Sequence, residues 1–274
     1  MILARRTSMY LILIALVTLF ISPFGWLVIT ALKDTSELAA YPLHWTPHTW
    51  EFSNFSRALT EIPYLAYARN SLTIALIYSV LVTLSSAWAG FGFARLSAPG
   101  KRVLFGMLLS TMMMPAMITL IPTYIIFAKL GMVDTYWPWV LWGLSGAPYL
   151  IFLFRQFFAN MPRELEEAAI VDGCGYGRIF WRIFLPQSWP VLATSLVLSF
   201  TWTWGDYIAP SLLLSTDHTT LAVAVATEYV IPSNGAPINN LIAAGAVMYI
   251  IPVLVLFLVL QKGFVTGVST SGLK

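Results

Sequence analysis

The chain has 274 residues, of which 58% are hydrophobic and only 10% charged, against about 25% charge in an ordinary soluble domain. That composition excludes a water-soluble protein and places the chain in a bilayer. The single cysteine, Cys174, excludes an internal disulfide and any multi-thiol metal site.

A span needs about 20 mostly apolar residues, and six uncharged runs reach that length, Thr7–Leu32, Asn70–Ala94, Val103–Ala128, Thr135–Phe154, Ile183–Gly205 and Tyr229–Gln261. Backbone polar groups must be satisfied inside lipid, and runs this long without alternation mean helices, not a barrel. The expected class is therefore an all-α integral membrane protein. Its six transmembrane helices fall at about 9–31, 70–94, 103–128, 135–154, 188–214 and 238–261. The first run follows Arg5 and Arg6 but is too long for a secretory signal core and has no small-residue cleavage site, so it is read as a retained helix.

The sequence pI near 9.0 does not require a nucleic-acid partner, because the basic residues divide by membrane side. With the N-terminus in the cytoplasm, eleven of the 15 fall inside: Arg5, Arg6, Arg95, Lys101, Arg102, Arg155, Arg163, Arg178, Arg182, Lys262 and Lys274. Lys33, Arg57, Arg69 and Lys129 fall outside. The positive-inside rule then puts both termini in the cytoplasm.

The first outer segment, Lys33 to Arg69, carries Trp45, Pro47, Trp50, Phe52, Phe55 and Pro63. It suits either a lateral interfacial helix or a docking surface. Ser97-Ala98-Pro99-Gly100 is a tight connector between the second and third spans. Gly90-Phe91-Gly92 begins like a dinucleotide fingerprint, but Arg95 stands at the third glycine position. Gly100-Lys101 lacks the upstream glycine and the following Ser or Thr of a phosphate loop. Any ATP-driven function must use another subunit's motor. Pro23, Pro115, Pro122, Pro148 and Pro252 are expected breaks or kinks. Beside one of them, Met112-Met113-Met114 either packs or lines a path that changes shape.

The loop 155–187 is the longest inner segment. Asn160 or its neighbour is expected to cap a short helix with Pro162 in its first turn. Glu164, Glu166 and Glu167 then sit toward the positive end of the helix dipole. Leu165, Ala168, Ala169 and Asp172 form one flat face, and Gly173 stops the helix. A second helix carries Ile179, Phe180, Ile183 and Phe184 until Leu185-Pro186 ends it.

These residues resemble the cytoplasmic signature of ATP-binding-cassette importer permeases: Glu-Ala-Ala, three residues, Gly, nine residues, Ile, one residue, Leu-Pro. Glu167, Ala168, Ala169, Gly173, Ile183, Leu185 and Pro186 match every position at that spacing. Further stretches, Ile121-Pro122-Thr123-Tyr124, Leu130 to Thr135, Arg155-Gln156-Phe157-Phe158 and Gly263 to Val268, narrow the resemblance to carbohydrate importers similar to the second maltose permease. The resemblance implies a type I importer permease fold in a bacterial or archaeal inner membrane. It also implies a second homologous permease, two ATPase subunits that carry ATP and Mg, and an extracytoplasmic solute-binding protein. This chain itself would bind no cofactor or metal and catalyse no reaction.

The loop helix would then be the coupling helix, with Glu167 as its charged contact, and the tail after Lys262 would run toward the ATPase. The resemblance also directs the outer loop, about 215–238, toward the solute-binding protein, with Ser233, Asn234 and Gly235 at its tip. Trp202, Trp204, Asp206 and Tyr207 are a candidate substrate path, because aromatic faces beside a carboxylate suit sugars. Asp206 equally suits a local acceptor of backbone bonds, and Gly205 stands where the family often has asparagine.

Two other classes compete with this reading. An intramembrane enzyme is suggested by Gly143-Leu144-Ser145-Gly146, but His44, His48 and His218 all fall in outer loops, away from that serine. A secondary transporter is expected to show paired membrane carboxylates or an internal repeat, and the sequence has neither.

Overall fold

The computed structural model describes residues 2–38, 40–42 and 44–269, and among them the only β pairing is an isolated bridge between Val230 and Pro237. In chain order the helices are α1 (Ile2–Ala31), α2 (Thr35–Leu38), α3 (Ser53–Thr60), α4 (Tyr64–Arg95), α5 (Lys101–Thr111), α6 (Ala116–Lys129), α7 (Trp137–Ser145), α8 (Pro148–Ala159) and α9 (Glu164–Val171). There follow α10 (Tyr176–Gln187, with a π turn at Phe180–Phe184), α11 (Trp189–Trp204), α12 (Ile208–Leu213), α13 (Leu221–Thr227) and α14 (Asn239–Ser269).

Among the described residues, four helical segments are long and apolar enough to span a membrane unaided: Arg6–Ala31, Tyr64–Arg95, Trp137–Ala159 and Asn239–Gln261. A fifth is bent by 81° between Tyr176–Gln187 and Trp189–Trp204. The run expected at 103–128 is two helices, parted at Met112–Pro115. Pro115 sits at the break with extended backbone (ψ 129), because proline cannot supply the amide that would continue the ladder. Pro148 likewise opens α8 at its first turn, whereas Pro23, Pro122 and Pro252 are carried inside continuous helices. The second span begins at Tyr64, earlier than hydropathy indicated, and α3 occupies the aromatic outer segment before it. Residues 270–274 of the tail, and the side chains after Gln261, lie outside the described residues.

The chain divides into two compact units, residues 1–68 with 221–251, and residues 69–220 with 252–274. In the first, a buried polar knot closes the end of α1. Asn54 Nδ2 donates to the carbonyls of Ala31 (3.0 Å) and Lys33 (2.9 Å), and Asn240 Nδ2 donates to Lys33 O at 3.2 Å. These amides satisfy C-terminal carbonyls that no intrahelical donor can reach. The Lys33 side chain is fully buried, its Nζ donating to His44 O and lying 4.9 Å from the Trp26 ring centre.

The second unit is built on close helix contacts and an aromatic core. A Cβ at Gly90 on α4 would stand 2.6 Å from Phe154 Cβ on α8, and one at Gly143 on α7 would stand 2.8 Å from Leu81 Cβ. Small residues let the backbones approach, as membrane helices require. Around that contact Phe91, Phe154, Phe158, Phe180 and Phe184 are all buried. Phe91 is 5.0 Å from Phe184 and 6.0 Å from Phe158, centre to centre, in the edge-to-face geometry that aromatic quadrupoles favour.

Candidate coupling helix and outer contacts

The short helix α9 is amphipathic in a way the sequence showed only in part. Ala169 is buried in the aromatic cluster and Leu165 is half-buried, so two residues expected on the flat outer face point inward. The exposed face is Glu164, Glu167, Ala168 and Val171, with Val171 87% exposed. The positions i, i+3, i+4 and i+7 lie on one side of a helix, which explains the set. Glu167 and Ala168 therefore remain outward, while Ala169 anchors the helix from beneath.

Gly173 ends α9 as expected, with φ +76. Cys174 N–H donates to Ala169 O and Gly173 N–H to Ile170 O, each at 2.9 Å. These are the two bonds of a Schellman motif, which needs a left-handed residue at this position. No atom lies within 4 Å of a Cβ added there, so the demand for glycine comes from the backbone angle and not from crowding. At its start the helix differs from expectation. Asn160 is the C-cap of α8, its side chain bonded back to Gln156 O, and Pro162 precedes α9, whose N-cap is Arg163.

The segment after Gly173 also departs from the expected stop at Pro186. Helix continues through Leu185-Pro186-Gln187 and ends at Ser188. Proline crowds the carbonyl four residues back and removes a donor. The preceding π turn, in which Leu185 N–H reaches Phe180 O, widens the backbone just where that crowding falls. Ile183 and Leu185 are half-buried against the aromatic cluster and Pro186 is exposed. The motif residues thus divide: Glu167, Ala168, Gly173 and Pro186 are on the surface, and Ala169, Ile183 and Leu185 hold the loop to the protein.

In the sequence Arg95 reads as one of the inner cations that set orientation. Its side chain is 5% exposed, and its Nη2 donates to Phe158 O (2.6 Å) and Met161 O (2.5 Å). Nη1 lies 3.5 Å from Glu166 Oε2, and the guanidinium carbon 4.9 Å from the Phe184 ring centre. One side chain therefore joins the end of α4 to the end of α8, to α9 and to the π turn. An arginine at the close of an apolar run followed, within the expected loop, by a second glutamate beside the motif glutamate was the only sequence signal.

At the opposite end of this unit, Asp134 closes the turn between α6 and α7 against the loop after α12. Asp134 Oδ1 accepts from Ser215 N–H (2.8 Å) and Ser215 Oγ (2.7 Å) and lies 3.0 Å from His218 Nδ1. The Ser215 hydroxyl and amide, with His218, hold its carboxyl down at about 2, because each bond favours the charged form. Asp134 is the one non-glycine residue with positive φ (61) among those described. In the other unit, Val230 to Pro237 forms a short hairpin. Gly235 N–H donates to Ile231 O (2.8 Å), Ala236 N–H to Asn234 Oδ1 (2.9 Å), and Ser233, Asn234 and Gly235 are exposed at its tip. Buried Tyr229 at its base donates to Ala58 O at 2.5 Å.

The four candidate path residues do not converge. Trp202 and Asp206 line a cavity of 150 Å³ with Tyr78, Trp139, Trp142 and Thr203. Trp204 is buried and stacked on Phe200 at 5.6 Å, and Tyr207 is exposed outside the cavity lining. Asp206 Oδ1 accepts from the amides of Ile208 (3.0 Å) and Ala209 (3.2 Å), which is the work of an N-cap for α12. Ser145 Oγ bonds back to Trp142 O and Gly146 O, so it is engaged as a helix-end hydroxyl.

Residues 82–269 match the family described as binding-protein-dependent transport system inner membrane component. The chain is 33% identical over 273 residues to the maltodextrin transport system permease protein of Bacillus subtilis, covering 98% of this chain and 96% of that one. It is 30% identical over 274 residues to the trehalose transport system permease protein of Mycobacterium tuberculosis, covering 99% of each. Among solved structures, a chain of a bacterial ABC transporter involved in the import of the acidic polysaccharide alginate superposes with a TM-score of 0.77, at 20% identity, over 95% of this chain and 96% of that chain.

Proposed function

The chain belongs to the family of binding-protein-dependent transport system inner membrane components, and on that premise we propose that it is the translocation subunit of an importer for a sugar or sugar derivative. Membership implies a multi-pass, non-catalytic component of an ATP-binding-cassette transporter that works with ATPase subunits and a solute-binding protein. The carbohydrate cargo is supported by relatives named for maltodextrin, trehalose and arabinooligosaccharides.

The observation that carries the reading is α9. Its outward face offers Glu167 and Ala168, its inward face is anchored through Ala169, and a glycine-dependent Schellman turn fixes its end. In the proposed transporter this helix lies in a cleft of an ATPase subunit, which binds ATP and Mg. The chain pairs with a second, homologous permease and crosses an inner membrane six times with both termini in the cytoplasm. The contacts within the second unit support that sidedness. Arg95, Met161 and Glu166, all assigned inside, meet at one end, and Asn70, assigned inside the outer edge of the second span, bonds Thr219 at the end where Asp134 meets Ser215. The exposed hairpin tip at Ser233, Asn234 and Gly235 is assigned to contact with the solute-binding protein. Trp202 and Asp206 are retained as candidate lining of the path, with Trp204 and Tyr207 as flanking residues.

Reversing the outward charge tests the reading. In the reconstituted transporter, Glu167→Lys is expected to leave insertion intact while uptake from a panel of maltodextrin, trehalose and arabino-oligosaccharides falls at least about tenfold, the usual scale of a site-to-site coupling. Unchanged uptake in that variant would overturn the docking of α9 through Glu167, and transport by this chain without any ATPase would overturn the proposal in favour of a secondary transporter.

A further inference from the structure

We propose that Arg95 is the positioning residue of energy coupling, binding the coupling helix and the end of α4 into one moving body through Glu166, Phe158, Met161 and Phe184. The inference rests on the reading that α9 docks on the ATPase. An orientation signal needs only to lie in water on the cytoplasmic side. Arg95 instead is 5% exposed, and its partner Glu166 is 13% exposed. A buried guanidinium is retained where its charge is matched, and here Nη1 faces a carboxylate and Nη2 serves two carbonyls, while Nε is buried without a hydrogen-bond partner.

The two adjacent glutamates take different directions because successive helical residues are about 100° apart. Glu167 faces outward, and Glu166 faces Arg95. One acidic residue is thus assigned to the partner and the other to the permease's own frame. The carbonyls held by Arg95, those of Phe158 and Met161, belong to the end of α8 and the link into α9. The Phe184 ring under the guanidinium belongs to the π turn that follows. Displacing α9 alone would therefore strip a buried charge of its partners, so a push on α9 moves α4 with it. Lysine cannot take over this role, since a single ammonium lacks the planar fork that reaches a carboxylate and two carbonyls together.

The test uses the whole transporter with its permease partner, ATPase subunits and solute-binding protein, in lipid nanodiscs. MgATP hydrolysis is measured with and without that binding protein. Glu166→Gln, which removes one charge without changing volume, and Arg95→Lys are expected to keep the ATPase bound and basal hydrolysis unchanged. Stimulation by the binding protein is expected to fall about tenfold, since coupling between sites is typically of that size. A merely structural role would lower yield, basal and stimulated rates together, and that result overturns the inference, as does stimulation within twofold of the parent in Glu166→Gln. Glu167→Lys separates the two proposals. If it also keeps full stimulation, the docking of α9 fails. If it loses stimulation while Glu166→Gln keeps it, only the role of Arg95 fails.

Discussion

The two ends of the unit formed by residues 69–220 and 252–274 hold charge in opposite ways. At one end the Arg95–Glu166 pair is 5% and 13% exposed, with the Phe184 ring against the guanidinium. At the other, the His218–Asp134 pair is 52% and 41% exposed. Exposed pairs are worth about 0–1 kcal/mol, whereas a buried charge depends on its partner because water cannot screen it. The first end is therefore held by a pair shielded from water, and the second by a pair open to it.

The comparison is broken most directly by a large truncation at the shielded end. Phe158 is fully buried and in ring contact with Phe91, Phe154, Phe180 and Phe184. Phe158→Ala is expected to cost about 3–5 kcal/mol, read as a lowered thermal transition of the purified protein in detergent. His218→Ala at the other end is expected to cost no more than about 1 kcal/mol. Equal losses would mean that the two ends are packed alike.

A smaller effect is expected at Gly173, where the surroundings are open but φ is +76. Gly173→Ala is expected to cost about 1–2 kcal/mol from the left-handed backbone alone, and Gly173→Asn less, because asparagine tolerates that region. Circular dichroism during heating measures both, and uptake should follow the same order. A bulky residue that cost no more than alanine would be consistent with the empty space found there. A penalty rising with side-chain size would instead point to a partner's surface pressed against the turn.

How much of this was legible in the sequence depends on the range of the interactions. The turn at Gly100, the stop at Gly173 and the motif loop follow from composition and local backbone rules, and the structure has them, whereas of the six expected spans it has four as single helical segments and a fifth as a bent pair, with the run at 103–128 broken at Met112–Pro115. Near-neighbour reasoning failed where tertiary contacts choose the face. Ala169 reads as a docking residue by its small size, yet it is buried because α9 packs on Phe91, Phe154 and Phe180. Pro186 reads as a helix stop, yet a π turn absorbs its crowding. Arg95 reads as one of eleven inner cations, and nothing local shows that its hydrogen-bond and ion-pair partners lie 63 to 71 residues further on. The candidate path at Trp202 to Tyr207 was legible as chemistry but not as geometry, since successive residues on a helix end point in different directions.

The smallest expected effect is a titration at the open end. The usual aspartate value is 3.8, and Asp134 is held at about 2 by its bonds from Ser215 and His218. A carboxyl depressed on folding lends stability that is fully present above the ordinary value and is lost as pH falls through the depressed one. The latch at Asp134 should therefore be intact at pH 4 and half protonated only near pH 2, so that neutral or mildly acid conditions leave it closed. Infrared difference spectra between the parent and Asp134→Asn isolate this carboxyl, and its protonated C=O band is expected to grow in around pH 2. Half-protonation at or above 3.8 would mean that the bonds from Ser215 are not made in the protein. The outer end would then be looser still than its exposure implies, sharpening the contrast with Arg95. The stability change itself is expected to stay within about 1 kcal/mol, since water screens a pair this exposed.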